Sequence, residues 1–225
     1  MSPAPEVVIA PAAGHAALMD GVYRYQRHFY DLTRKYYLLG RDRMIADLEV
    51  PAGGRVLEIG CGTGRNLVTL ARRYPQATAV GVDISEAMLE TATRQITRRD
   101  LAGRISVRAG DASALEQLEL GQFDRVVFSY TLSMMPVWQQ ALEQGFARLA
   151  PGGSVHVVDF GSLAGLPGLL ARVLHAWLRR FHVTPRANLD ETFRALARRH
   201  GLAVQTGETH RGYVWLGRAS GGQPA

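Results

Sequence analysis

A carboxylate and three glycines are the residues best placed to do chemistry. They lie in Val56-Leu57-Glu58-Ile59-Gly60-Cys61-Gly62-Thr63-Gly64-Arg65-Asn66, which reads as an apolar run, a glycine-rich turn and a helix start. Val56, Leu57 and Ile59 suit a strand covered on both faces. Gly60, Gly62 and Gly64 let the backbone turn sharply and approach a ligand. Leu67, Leu70, Ala71 and Tyr74 then keep helical spacing. The free N–H groups of that helix face whatever the turn admits. A dinucleotide fingerprint would place its third glycine at position 65. Arg65 stands there, so that pattern fails, and the spacing is Glu58-x-Gly60-x-Gly62-x-Gly64.

Two further carboxylates follow apolar runs. Asp83, in Val80-Gly81-Val82-Asp83-Ile84-Ser85, can accept from two ribose hydroxyls. Ser85 is a good N-cap, and Met88 can cover an adenine face. Asp111, in Gly110-Asp111-Ala112-Ser113, can accept from an adenine amino group. Taken singly, each is equally a cap or turn residue; their order and spacing carry the argument.

The elements that must position these residues alternate. Strands are expected at about 55–59, 77–82, 104–108, 123–128 and 153–159, and helices at about 64–74, 85–98, 113–118 and 137–149. Alternation predicts a parallel sheet with right-handed crossovers and helices on both faces. Ligands of such sheets bind at the carboxyl ends of the strands. Pro151-Gly152-Gly153 reads as a turn into the fifth strand.

From 55 to 160 the chain resembles class I S-adenosylmethionine-dependent methyltransferases, on the Glu58–Gly64 spacing, Asp83, Asp111 and Pro151–Gly153. The resemblance implies a Rossmann-like α/β fold with a mostly parallel seven-stranded sheet, and strands near 202–206 and 212–217 close it. It implies S-adenosylmethionine as cofactor, S-adenosylhomocysteine as product, and no metal. The glycine turn would bind the methionine part through Glu58, Gly60, Cys61, Gly62, Gly64 and Asn66. Asp83 would bind the ribose and Asp111 the adenine, with Ile84, Met88, Ala112 and Ser129 also in the cofactor set.

Several methyltransferase classes fit poorly. After the fourth strand the chain reads Ser129-Tyr130-Thr131-Leu132, not the Asn/Asp-Pro-Pro-aromatic signature of nucleic-acid amino methyltransferases. No cysteine follows that strand for an RNA cytosine-C5 reaction, and no acidic cluster suggests a metal. A small-molecule or lipid acceptor remains, taken by direct in-line transfer. The enzyme then aligns the reactants and excludes water. An amine acceptor must lose its proton first, and a quaternary ammonium product suits aromatic faces.

Residues 16–50 supply aromatics as an N-terminal helical lid. If helical, Tyr23, Arg27, Tyr30, Arg34 and Tyr37 form one stripe. Phe29, Leu32, Tyr36 and Leu39 form a second, about 100° around. An ordinary helix with core and surface faces would also show both. The segment Tyr23–Asp42 resembles the start of bacterial betaine-lipid N-methyltransferases, which trimethylate diacylglyceryl-homoserine. Tyr30-Asp31 more loosely resembles a pair in phospholipid N-methyltransferases and quinone C-methyltransferases. Tyr25 and Tyr30 would line the reaction centre, and Tyr30 and Arg34 would also touch the donor. His28, Asp31 and Tyr130 are the candidate proton acceptors, and the sequence does not choose among them. Phosphatidylethanolamine or a quinone precursor stays open as acceptor, as does a non-catalytic cofactor-binding subunit.

Charge is placed unevenly. Residues 1–159 hold 17 basic and 17 acidic residues, whereas 160–225 hold 9 and 3, so the net +6 lies in the last third. In 163–181, Leu166, Leu169, Leu170, Val173, Leu174, Trp177, Leu178 and Phe181 keep helical spacing, with Arg172, Arg179 and Arg180 mostly opposite. Such a helix can rest in a membrane interface, or pack beside the sheet. The expected organisation is a tail at 1–15, the lid at 16–50, a domain at 51–219 with inserted helices at 162–200, and a tail at 220–225. Cys61, the single cysteine, excludes an internal disulfide and reads as packing. Neither a secretory signal nor an 18-residue apolar span is evident. A cytoplasmic, peripherally membrane-associated enzyme is expected, with a lipid acceptor at an anionic surface and no nucleic acid. Its functional partner would be the enzyme that makes diacylglyceryl-homoserine.

Overall fold

The computed structural model describes residues 38–180 and 183–221. The expectations for the lid therefore fall outside the described residues except at its end. There Leu38 to Gly40 lead into a short helix, α1 (Arg41–Ala46), that buries Arg41, Met44 and Ile45.

Seven strands follow: β1 (Arg55–Ile59), β2 (Thr78–Asp83), β3 (Ile105–Ala109), β4 (Phe123–Ser129), β5 (Leu149–Phe160), β6 (Ala203–Thr209) and β7 (Val214–Ser220). The helices between them are α2 (Arg65–Arg73), α3 (Glu86–Thr97), α4 (Trp138–Ala147), α5 (Gly168–Arg180) and α6 (Leu189–Arg199). The strands form one sheet in the order β3-β2-β1-β4-β5-β7-β6. β7 is antiparallel to both neighbours; the other pairings are parallel. The chain starts at β1, runs outward to β3 and returns to β4 on the other side of β1. That reversal leaves a crevice beyond the carboxyl ends of β1 and β4.

Alternation along β1 explains its apolar run. Val56 joins one core layer with Leu67, Leu70 and Ile96 of α2 and α3. Leu57 and Ile59 join the other, with Leu142 and Phe146 of α4 and Phe193 of α6. Both faces are covered, so only Glu58 interrupts the run with charge. Phe146, Phe193 and Trp215 stack edge to face at 5.5 Å spacings. Each such fully buried ring contributes about 2 kcal/mol.

Three local expectations are corrected. Residues 113–118 do not form an α-helix; Leu115–Leu118 is a single 3-10 turn. Ser113 is tied back to Asp111, and Glu119 (φ 45°) ends the turn. Pro151-Gly152-Gly153 lies inside β5 rather than before it. Phe123 pairs Leu149 and Arg125 pairs Ser154, so the extra residues bulge out, with Gly152 at φ 77°. β7 starts two residues late, because His210, Arg211 and Gly212 all take positive φ in the turn before it.

Candidate functional site

The crevice is shaped first by the glycine turn. Gly60, Gly62 and Gly64 have φ of 74°, 53° and 77°, a region that side chains disfavour. The N–H groups of Gly60 and Cys61 both donate to the Val82 carbonyl, at 2.7 and 3.0 Å, which stitches the turn to β2. A Cβ on Gly60 would lie 2.4 Å from Thr131 Cγ2, so the segment after β4 closes directly over the turn. Gly64 starts α2 against Ala92 of α3, at 3.0 Å from a Cβ placed there.

The carboxylates sit around this turn. Asp83 Oδ2 accepts the Gly62 N–H at 2.8 Å, and its Oδ1 accepts the Ser85 N–H at 3.0 Å. Both oxygens are thereby oriented at the end of β2. Ser85 Oγ accepts from Met88 N–H at 3.4 Å and caps α3. Met88 is buried under this cap and Ile84 is half-buried beside it. At the end of β3, Asp111 Oδ1 accepts both the N–H and the hydroxyl of Ser113, each at 2.8 Å. Ala112 is buried between them.

Glu58 is 2 % exposed. Its Oε1 accepts Asn66 Nδ2 at 2.7 Å, while its Oε2 has no hydrogen bond. Burial pushes its carboxyl up to about 7, against the Asn66 hydrogen bond and the Arg41 charge, which act the other way. Cys61 packs against Gly81. Burial and the nearby Asp83 and Glu58 charges raise its thiol pKa, so it is inert. Ser129 ends β4 with a buried hydroxyl that has no hydrogen-bond partner.

Tyr130 is corrected as a proton acceptor. Its φ is 57°, and its hydroxyl donates to the Leu39 carbonyl at 2.7 Å. Its ring meets Phe160 edge to face at 4.7 Å. Burial, and then Asp159, push the phenol well above its ordinary value, so the phenolate that could take a proton is disfavoured. The side chain anchors the end of the N-terminal segment to β4. Tyr25, His28, Tyr30, Asp31 and Arg34 lie outside the described residues.

Two residues of this rim went unrecognised in the sequence. Asp159, buried at the end of β5, accepts the N–H groups of Ser133 at 3.1 Å and Phe160 at 2.8 Å. Its pKa is raised, chiefly by burial. An acid closing the run Val155–Val158 at a strand's carboxyl end was a usable signal. Arg186 donates to the carbonyls of Leu132 at 3.0 Å and Met135 at 2.7 Å, and Thr184 N–H donates to the Ser133 carbonyl at 2.9 Å. No sequence pattern marks Arg186. Among the described residues, no group of three or more His, Cys, Asp or Glu could hold a metal ion.

Comparison with known proteins agrees with this geometry. Residues 56–153 match the family described as a methyltransferase domain. A demethylmenaquinone methyltransferase of Lactobacillus johnsonii is 30% identical over 136 residues, covering 58% of this chain and 55% of the relative. A ubiquinone/menaquinone biosynthesis C-methyltransferase of Syntrophotalea carbinolica is 30% identical over 162 residues, covering 70% and 65%. The chain thus spans less than two thirds of these relatives' length. The solved structure of an O-methyltransferase family protein from Burkholderia thailandensis superposes with a TM-score of 0.69 at 21% identity, over 89% of this chain and 61% of that one.

This fold family implies S-adenosylmethionine as methyl donor, and the residues present fit it. Oriented Asp83 oxygens suit a ribose diol. The orphaned Glu58 Oε2 suits an ammonium group, and the side-chain-free floor at Gly60–Gly64 admits close approach. Residues 56–153 thus match a methyltransferase domain, and the sheet order and glycine turn are those of the class I methyltransferase fold.

Proposed function

We propose that the protein is an S-adenosylmethionine-dependent N-methyltransferase that methylates the amine of diacylglyceryl-homoserine three times, giving the trimethylated betaine lipid. The observation that carries methyl transfer is the Asp83 carboxylate bonded at 2.8 Å to the glycine turn, because it joins the ribose and methionine ends of one donor site. The acceptor rests on the resemblance of Tyr23–Asp42 to betaine-lipid N-methyltransferases.

The donor supplies an electrophilic sulfonium methyl group, so the protein's task is alignment and exclusion of water. Asp83 orients the ribose and Asp111 the base. Ionised Glu58 holds the ammonium. The Leu132–Met135 segment, pinned by Arg186 and Asp159, walls the acceptor side. An amine acceptor enters as the free base, and an apolar surround favours that form.

The relatives named as a demethylmenaquinone methyltransferase and a ubiquinone/menaquinone biosynthesis C-methyltransferase support a second reading, in which the acceptor is a quinone precursor carbon. Purified protein with labelled donor and a lipid panel separates the two. The expected result is three labelled methyl groups on diacylglyceryl-homoserine. Label confined to a quinone precursor or to phosphatidylethanolamine overturns the first acceptor, and no label on any acceptor overturns methyl transfer.

A further inference from the structure

The outward face of α5 is apolar where a surface helix would ordinarily be polar. Leu178 is buried and Leu174 half-buried against the body. On the other side Leu169, Val173 and Trp177 are 69%, 58% and 37% exposed, at successive steps of four. Leu174 and Leu178 pack on the body, and Arg172 and Arg180 of the same helix are exposed. Residues 160–189 carry four arginines and no acidic residue.

The position of this helix matters. Directly after it, Val183 N–H donates to the Leu178 carbonyl at 3.1 Å, Thr184 N–H to the Ser133 carbonyl and Arg186 to those of Leu132 and Met135. The helix is therefore moored to the segment that roofs Gly60. The segments on either side of the helix thus attach at the carboxyl-end rim of the sheet, where the donor crevice lies.

From this we infer that the outward face of α5, Leu169 and Val173 with Arg172 and Arg180, docks on an anionic lipid bilayer and turns the crevice toward it. Apolar side chains enter the interface while arginines meet acidic headgroups. Charge argues against a second copy as the occupant, because two such faces would oppose like charges. The inference deepens the reading of a lipid acceptor and rests on it for its purpose. Binding to the bilayer is measured without donor or acceptor, so each can fail separately.

The test is flotation of the full chain with vesicles of phosphatidylglycerol and phosphatidylcholine in equal parts, or of phosphatidylcholine alone. Only the anionic vesicles should carry the protein, and roughly 0.5 M salt should weaken partitioning about tenfold. Leu169→Asp with Val173→Asp should lower it about 100-fold. Arg172→Glu with Arg180→Glu, surface changes that leave the apolar stripe in place, should lower it about tenfold and remove most of the salt dependence. Both variants should bind S-adenosylmethionine like the parent chain. Equal flotation with neutral vesicles, flotation indifferent to both variants, or no flotation overturns the inference. So does a dimer in gel filtration that Leu169→Asp with Val173→Asp splits.

Discussion

At the glycine turn, shape is carried by the main chain. Three residues hold positive φ, two N–H groups share the Val82 carbonyl, and Asp83 receives the Gly62 N–H. Around Leu132–Met135 it is carried by side chains from distant sequence. Arg186 reaches back more than fifty residues in sequence to the Leu132 and Met135 carbonyls, Asp159 holds Ser133, and Tyr130 ties Leu39. A floor made of backbone accepts one ligand shape and tolerates little substitution. A wall made of side-chain hydrogen bonds can be redrawn by changing one residue, so the acceptor can vary while the donor stays fixed.

Breaking the floor should cost most. Gly60→Ala combines a positive φ with a Cβ 2.4 Å from Thr131 Cγ2. The combined penalty is about 3 kcal/mol, expected as a loss of donor affinity of about 100-fold by calorimetry. Adding Thr131→Ala removes the contact with Cγ2 but leaves the position 131 Cβ at 2.9 Å and the φ strain, so affinity should return only part of the way. Donor binding unchanged in Gly60→Ala would mean that the main chain does not set this half.

Protonation sharpens the same comparison. Folded Glu58 sits at about 7 against an ordinary 4.5. Its uncharged form therefore stabilises the ligand-free protein fully below pH 4.5. That contribution, about 3 kcal/mol, is lost as pH rises through about 7. Glu58→Gln should abolish this slope. Comparing the two chains isolates Glu58 from His156, whose burial holds its ring at about 3 and which acts in the opposite direction. Donor binding needs the ionised form, so affinity should rise about tenfold from about pH 6 to a maximum between 7 and 8. It should fall above that as the donor's own amine deprotonates. In Glu58→Gln the lower limb should vanish; a limb that persists would assign it to another group.

The smallest effect belongs to the wall. Arg186→Met removes two hydrogen bonds to carbonyls, costing about 1–2 kcal/mol of stability in thermal melts. Acceptor KM should rise while donor affinity changes by less than about twofold. A larger loss of donor binding than of acceptor binding would erase the distinction between floor and wall.

The same contrast explains what the sequence could tell. The strands around the donor site were legible because both faces are covered, and the run Val56-Leu57-x-Ile59 records that directly. The places of Gly60–Gly64, Asp83 and Asp111 at the carboxyl ends of β1, β2 and β3 were legible because backbone-built turns leave a fixed local spacing. Arg186 was not, since its hydrogen bonds go to main-chain carbonyls that any residue supplies. Tyr130 looked like a base by type, and only its distant neighbours Leu39, Phe160 and Asp159 decide against it. Residues 113–118 looked helical because Leu115 and Leu118 are apolar, but Ser113 spends its N–H on Asp111 and the helix does not start.

The single cysteine gives the molecule its own clock. Cys61 sits inside the glycine turn, 6% exposed, with its thiol held protonated. A thiol reagent meets it only when the turn parts from β2 and α2. Its labelling rate in the absence of donor therefore counts openings of the floor, and saturation with donor should silence that count.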